Sequence, residues 1–300
     1  MDMTQNKCCR HGANLRRRRR RRRKILRSII FSCSIIAVAV FVAVGSSMIR
    51  SGDGRTNRYD VEAGNNTYDN AVIENSKISE KNKIQNNQSM LDDIMNSTQY
   101  PKQLQELALK NEEAIEFVYD YPTEHVKEHT IDLTEEASMD SVPLFVQWDK
   151  RWGYEKYSGN FFAASGCGPT TLSMVVVYLT HNREASPIAV AKYSKEAGYS
   201  VDGSGSSWTL ISEGCMHYGV KAKAVALDES RMKAELDEGH PIVVNVGPGD
   251  FTDTGHFMVI TGYDDEGFSI NDPNSIEKSG KRWLFKNISS QIRAVWSMYV

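Results

Sequence analysis

Cysteine is scarce in this chain, and the placing of the few that exist excludes a class of folds. There are five in 300 residues. Cys8 and Cys9 stand in a basic tail and Cys33 in a long apolar run, so only Cys167 and Cys215 belong to the remaining body. Two cysteines cannot staple a small disulfide scaffold, although they can form one bridge. Proline is missing from Ser51 to about Asn96, a stretch rich in Asn, Ser, Asp, Glu and Lys whose apolar residues follow no period. Such a segment cannot bury enough apolar surface to order itself, which predicts a disordered spacer over 49–98. There is also no Gly-rich Walker loop and no internal repeat. Asp250, Asp253, Asp264 and Asp265 follow no calcium-loop pattern, and no His, Cys, Asp or Glu cluster has metal-ligand spacing. The expectation is no metal and no cofactor.

Positive charge is scarce in the body too. The chain has 36 Lys and Arg against 38 Asp and Glu, yet twelve of the basic residues and only one acid fall in the first 27 positions. The remainder carries 24 basic and 37 acidic residues, a balance of -13. An acidic body does not neutralise phosphates, so nucleic acid is excluded as a partner. The arginine tract Arg16 to Arg23 finds its reason in the neighbouring run: Ile29 to Val44 is apolar apart from Ser32 and Ser34. With its flanks this run is about as long as a bilayer core is thick. Basic residues on its N-terminal side predict that this side stays in the cytoplasm and the rest is exported. The sequence thus predicts a basic tail over 1–24, a single transmembrane signal anchor over 25–48, and an extracytoplasmic body. A cleaved signal peptide is the alternative, since Ala43, Val44 and Gly45 suit a signal peptidase.

Beyond the spacer, Leu104, Leu107, Ala108, Ile115 and Val118 recur at helical spacing behind Pro101, predicting a helical extension over 99–141 whose apolar stripe packs on the domain C-terminal to it. From 142 to 300 the pattern is that of a single core. It predicts an opening strand at "VPLFVQW", helices at 168–180, 186–196, 208–218 and 230–238, and a Gly/Ser-rich loop at 202–207. Strands come next at "PIVVNVG", "HFMVITGYD", "GFSINDP" and "RWLFKN". Helices before strands is the order of an α+β domain with an antiparallel sheet.

Cys167 sits in "SGCGPTT", immediately before an apolar helix. A sulfur there lies beside the free N–H groups and the positive end of the helix dipole, both of which favour a thiolate. Gly166 and Gly168 leave room for a substrate backbone, and Cys167 contributes an N–H to an oxyanion site. A nucleophilic thiolate needs a base and a group to orient that base. His256 comes after Gly255 and opens a strongly apolar strand, the first arm of a hairpin whose second arm ends at Asp272. Because sides alternate along a strand, a two-residue turn at 265–266 leaves His256 and Asp272 on opposite faces. An odd loop or bulge within 264–267, with Gly267 as its left-handed residue, brings them to one face. Gln147 is the best side-chain donor for the oxyanion. Trp208, in the Gly/Ser-rich loop "DGSGSSWTL", is either a lip of the cleft or part of a plain connection capped by Ser207.

The set "VPLFVQWDKRWGYEKY", "SGCGPTTLSMV", "PIVVNVGPGDFTDTGHFMVITGYD" and "NDPNS" resembles the thirty-ninth-family-like cysteine peptidases, relatives of the bacterial peptidases that process double-glycine bacteriocin leaders. The resemblance covers about 142–300, and the helix from Tyr100 with "FVYDYP" looks like the extension that often precedes this domain. It implies a papain-like fold, with Cys167 as nucleophile, His256 as base, Asp272 as orienting carboxylate and Gln147 in the oxyanion site. The substrate it implies is a peptide or protein. An amidase or acyltransferase acting on cell-wall peptides uses the same residues, and a non-catalytic peptide-binding module is the reading from another class.

Overall fold

A computed structural model describes residues 66–300. The expected basic tail, the anchor at 25–48 and the first part of the spacer lie outside the described residues. Among the described residues no helix is long and apolar enough to cross a membrane.

Residues Asp69–Val300 form one unit. The first described element is helix α1 (Asn66–Asn96), where the composition predicts a disordered spacer. The correction has a local cause. Met90, Leu91 and Ile94 fall on one helical face at the end of the polar segment and join the cluster around Leu104. Ile94 is fully buried, which contributes about 1.5–3 kcal/mol. Helix α2 (Lys102–Lys110) starts behind Pro101 and stops at Asn111, whose extended backbone breaks the longer helix expected there. The apolar stripe of the extension, including Leu104, Leu107, Ile115 and Val118, packs with Phe161 and Ala163 of the next domain.

That domain is α+β. Helix α3 (Cys167–Thr180) and helix α4 (Pro187–Glu196), capped by Ser186, precede a six-stranded antiparallel sheet. The strands are β1 (Lys221–Ala224), β2 (Ile242–Val246), β3 (His256–Asp264), β4 (Gly267–Asn271), β5 (Arg282–Trp283) and β6 (Ile292–Tyr299), in the order β1-β6-β2-β3-β4-β5. Every residue of β2 is buried, because the sheet is covered on both faces. On one face Leu172 and Val176 of α3 meet Phe257, Val259 and Trp296. On the other, Met232 and Leu236 of helix α5 (Glu229–Asp237) meet Val244, Met258 and Ile260. This double cover explains why the central strands do not alternate, and α3 is apolar all round because Val190 and Ala191 of α4 and Leu133 and Ala137 bury it from the side away from the sheet.

Several expected elements differ. "VPLFV" has no regular structure and joins no sheet, and Gln147 and Trp148 after it form a turn; the Asn271 side chain holds the segment, donating to the carbonyls of Val142 and Pro143 at 3.1 and 3.0 Å. The helix expected at 208–218 is two pieces, Thr209–Ser212 and a 3-10 turn Gly214–Tyr218. The expected loop at 202–207 is the bend and return strand of a small ribbon that pairs Ser200–Val201 with Gly205–Ser206. "RWLFKN" is strand only at Arg282–Trp283 and turns helical at Phe285–Ile288.

Candidate active site

The hairpin β3–β4 sets the site. Its turn is the plain two-residue one, with Asp264 paired to Gly267. The Asp264 carboxylate accepts from the Glu266 N–H at 2.9 Å, and Gly267 takes φ +134 where a Cβ would strike the Trp283 carbonyl at 2.6 Å. No odd loop or bulge lies within 264–267, which corrects the sequence expectation. The extra residue sits instead at Thr261, where the register shifts between Ile260 and Gly262. Gly262 has open space around it, so the chain can kink there while the capped turn stays short. Beyond the bulge Val259 faces Asn271, which sets Met258 opposite Asp272 and puts His256 and Asp272 on the same face.

The two residues meet accordingly. The His256 Nε2–H donates to Asp272 Oδ1 at 2.7 Å, with Asp272 fully buried. Nδ1 is then the nitrogen left for the thiol. Cys167, the first residue of α3 and partly exposed, lines the cleft together with His256, and its sulfur feels the imidazole and the nearby Phe257 and Gly168 N–H groups. Burial works against charge on both groups. For Cys167 it is outweighed by the imidazole and the two N–H groups, which hold the thiol below its ordinary range. For His256 it is outweighed by the charge and hydrogen bond of Asp272 together with the thiol, which lift the imidazole to about 10. Both shifts favour the thiolate–imidazolium form of the pair. Cys215 is free and fully buried, and burial pushes its thiol up to about 11. No bridge joins it to Cys167.

Gln147 is also buried and lines the same cleft, of about 460 Å³, as Cys167, Gly255 and His256. Its Nε2 donates to the Ala163 carbonyl at 2.7 Å, and its second hydrogen meets Asn274 Oδ1 at only 3.3 Å. That second hydrogen is the one free to turn to an oxyanion. The Cys167 N–H, among the first four of α3, has no acceptor within the helix and can join it.

Other residues singled out from the sequence are not brought to the cleft. Trp208 packs edge-on against Trp296, 6.0 Å between centroids, away from the cleft lining. Gly166 and Gly168 are not among the cleft-lining residues, and both are closely packed. A Cβ at Gly166 would lie 2.6 Å from the Phe162 ring, and one at Gly168 would lie 2.6 Å from Ser206 Oγ. That hydroxyl is held by Tyr157 Oη at 2.6 Å and has little freedom to retreat. Gly168→Ala is therefore expected to cost about 1–3 kcal/mol by overpacking, read as a lower midpoint in thermal unfolding.

Asn274 is a site residue the sequence did not reveal. Its N–H donates at 2.8 Å to Asp272 Oδ1, the oxygen that receives His256. Only its place two residues after Asp272, in "NDPNS", could have signalled it.

A family model described as the Peptidase_C39 like family matches residues 139–300. Among solved structures, the peptidase domain of Streptococcus ComA, a bi-functional ABC transporter involved in a quorum-sensing pathway, matches with TM-score 0.39 and 18% identity, covering 53% of this chain and 96% of that one. A candidate C39-like peptidase from Bacillus anthracis matches with TM-score 0.34 and 16% identity, covering 53% of this chain and 95% of that one. No curated protein matches the chain.

Proposed function

This chain belongs to the Peptidase_C39-like family, and on that premise we propose that it is a membrane-anchored, extracytoplasmic cysteine peptidase that cleaves peptide bonds through Cys167, His256 and Asp272. The observation that carries the reading is the continuous series from thiol to imidazole to buried carboxylate at the wall of an open cleft. The placement outside the cytoplasm is supported by the sequence order of basic tail and apolar run, residues 16–44. The division of labour, with the nucleophile on a helix and the base on a sheet, is that of a papain-like enzyme.

In this reading the Cys167 thiolate attacks the scissile carbonyl carbon, and the electron pair moves onto oxygen. Gln147 Nε2 and the Cys167 N–H receive that oxyanion. Protonated His256 gives its proton to the leaving amine as the C–N bond breaks, leaving a thioester. Neutral His256 then takes a proton from water, the hydroxyl attacks the thioester, and the thiolate departs beside the re-formed imidazolium. Asp272 holds the ring by Nε2 throughout and stabilises its charge.

Incubating the full chain with peptide pools and with muropeptides, and reading cut positions by mass spectrometry, tests the reaction. Peptide hydrolysis is expected; release from muropeptides alone would reassign the enzyme as a cell-wall amidase. Thiol labelling adds a check that needs no substrate. Cys167 is expected to react with iodoacetamide at pH 6 at least about a hundredfold faster than Cys215, because the thiolate fraction falls about tenfold for each unit by which a thiol pKa rises. Equal rates at the two positions would remove the basis for a nucleophile.

A further inference from the structure

Residues 66–138 precede the family match, yet part of this extension reaches into the site. Asn111, the residue that ends α2, lines the cleft together with Gln103, Glu106 and Lys110 of that helix. Its Nδ2 donates to two oxygens of one residue, the Asn274 carbonyl at 2.9 Å and Asn274 Oδ1 at 3.0 Å. Its Oδ1 accepts from the Glu113 N–H at 3.0 Å, so every polar atom of the amide is used. The residue it grips stands between the two halves of the catalytic apparatus. The Asn274 N–H aims Asp272 Oδ1 at His256, and Asn274 Oδ1 sets the direction of the second Gln147 hydrogen. Two residues on, Glu113 fixes the rest of the same loop. Its carboxylate accepts from Ser275 Oγ and from the N–H groups of Ile276 and Glu277 at 2.8 and 3.1 Å. From the far side, Ser279 Oγ accepts the Asp272 N–H at 2.9 Å.

We propose that Asn111 is a positioning residue of the active site: through Asn274 it holds both the carboxylate that orients His256 and the amide that meets the oxyanion. The extension is thereby a working part of the enzyme, although the family match begins after it. Geometry dictates why an asparagine is needed. One amide nitrogen with two hydrogens spans a carbonyl and a side-chain oxygen of the same residue, while its oxygen remains free to cap the turn at Glu113. Aspartate keeps the cap and loses both donors, and serine keeps a capping oxygen but cannot reach Asn274.

The proposal rests on the peptidase reading for the roles of Asp272 and Gln147, so its test reads the thiol directly. Iodoacetate is the probe. Being anionic, it reacts fastest while the imidazole beside the thiolate is protonated, so its alkylation rate falls on the alkaline side as His256 loses its proton. In the full chain, the uncharged variant Asn111→Ser is expected to move this alkaline limb toward neutrality by about one pH unit, because a loosened carboxylate stabilises the imidazolium less. Gln105→Ala is the control for mere destabilisation of the extension. That side chain donates to the carbonyls of Ile94 and Ser97 at 3.0 and 3.3 Å and makes no bond to the 272–279 loop. It is expected to lower the unfolding temperature and leave the pH profile in place. If Asn111→Ser does not unfold cooperatively, Asn111→Thr is measured instead, with the same shift expected. An unchanged alkaline limb in the folded Asn111 variant, or an equal shift in Gln105→Ala, overturns the proposal. Absence of peptide cleavage by the wild type bears only on the peptidase reading, because the alkylation profile remains measurable.

Discussion

Cys167→Ala is expected to abolish peptide hydrolysis, and His256→Ala to lower kcat/KM by about 10⁴-fold or more, with the double variant no worse than Cys167→Ala alone. The cause lies first in the helix. Cys167 opens α3, with its 14 residues aligning the dipole, and the imidazole with the Phe257 and Gly168 N–H groups favours its thiolate. Without the sulfur no thioester forms. Water held in the same place gains only what Gln147 and the Cys167 backbone lend to an oxyanion. Without the imidazole the thiol loses its largest stabilising partner, burial pushes it back up, and no group remains to protonate the leaving amine. Each loss disables the same step, so the two cannot add. The measurement is hydrolysis of whichever peptide the wild type cleaves, followed to long times at high enzyme concentration. Residual cleavage by Cys167→Ala within tenfold of wild type would falsify the assignment. The control is Cys215→Ser, whose site is buried and away from the cleft. It is expected to cost stability and leave the rate per folded molecule unchanged.

The residues of this site that were legible in the sequence are those whose chemistry is uncommon. A thiol before an apolar helix, a histidine opening an apolar strand and a carboxylate closing the next strand are rare residue types in telling positions, and they can be read without a structure. The parity of the hairpin was legible as a problem but not in its solution. Alternation demands one extra residue between His256 and Asp272, yet nothing in "TGYDDEG" says whether it lies in the turn or the strand. Asp264 capping the turn and the open space at Gly262 decide for Thr261. Strand β1 was invisible because the apolar side of "KAKA" is two alanines, too small to signal a strand although Ala222 packs on the core; it exists because β6 offers an edge. Asn111 and Asn274 were missed for a different reason. They act only through hydrogen bonds to each other and to residues far along the chain, 163 positions apart for Asn111 and Asn274 and 127 for Gln147 and Asn274. Asparagine is common enough in turns and caps that neither position stands out.

Asp272→Asn separates charge from position, and a narrower pH profile is expected. An amide at 272 can still accept from the His256 Nε2–H and the Asn274 N–H through its oxygen, so the ring stays in place while the negative charge is lost. That charge is the largest influence raising the imidazole, whose ordinary value is 6.5, to about 10. A group whose pKa is raised by its partner keeps its proton up to that raised value and loses it earlier once the partner is gone, so the alkaline limb of kcat/KM moves down, by more than about one unit. The thiolate is stabilised by the imidazolium, so the acid limb moves up as the imidazolium weakens, and the two limbs approach each other. The other charges lining the cleft, Glu106, Asp250 and Asp253 against Lys110 and Lys278, are mixed in sign, and those open to solvent are screened by salt. They shift both limbs little, which measurement at two ionic strengths would show. At pH 7 the variant is expected to lose on the order of 10²-fold in kcat/KM, because the ion pair is less favoured and the general acid is less often charged. Limbs that stay where the wild type has them would mean that the thiolate and not the Asp272 charge keeps the proton on His256, a result at odds with a fully buried carboxylate 2.7 Å from its Nε2.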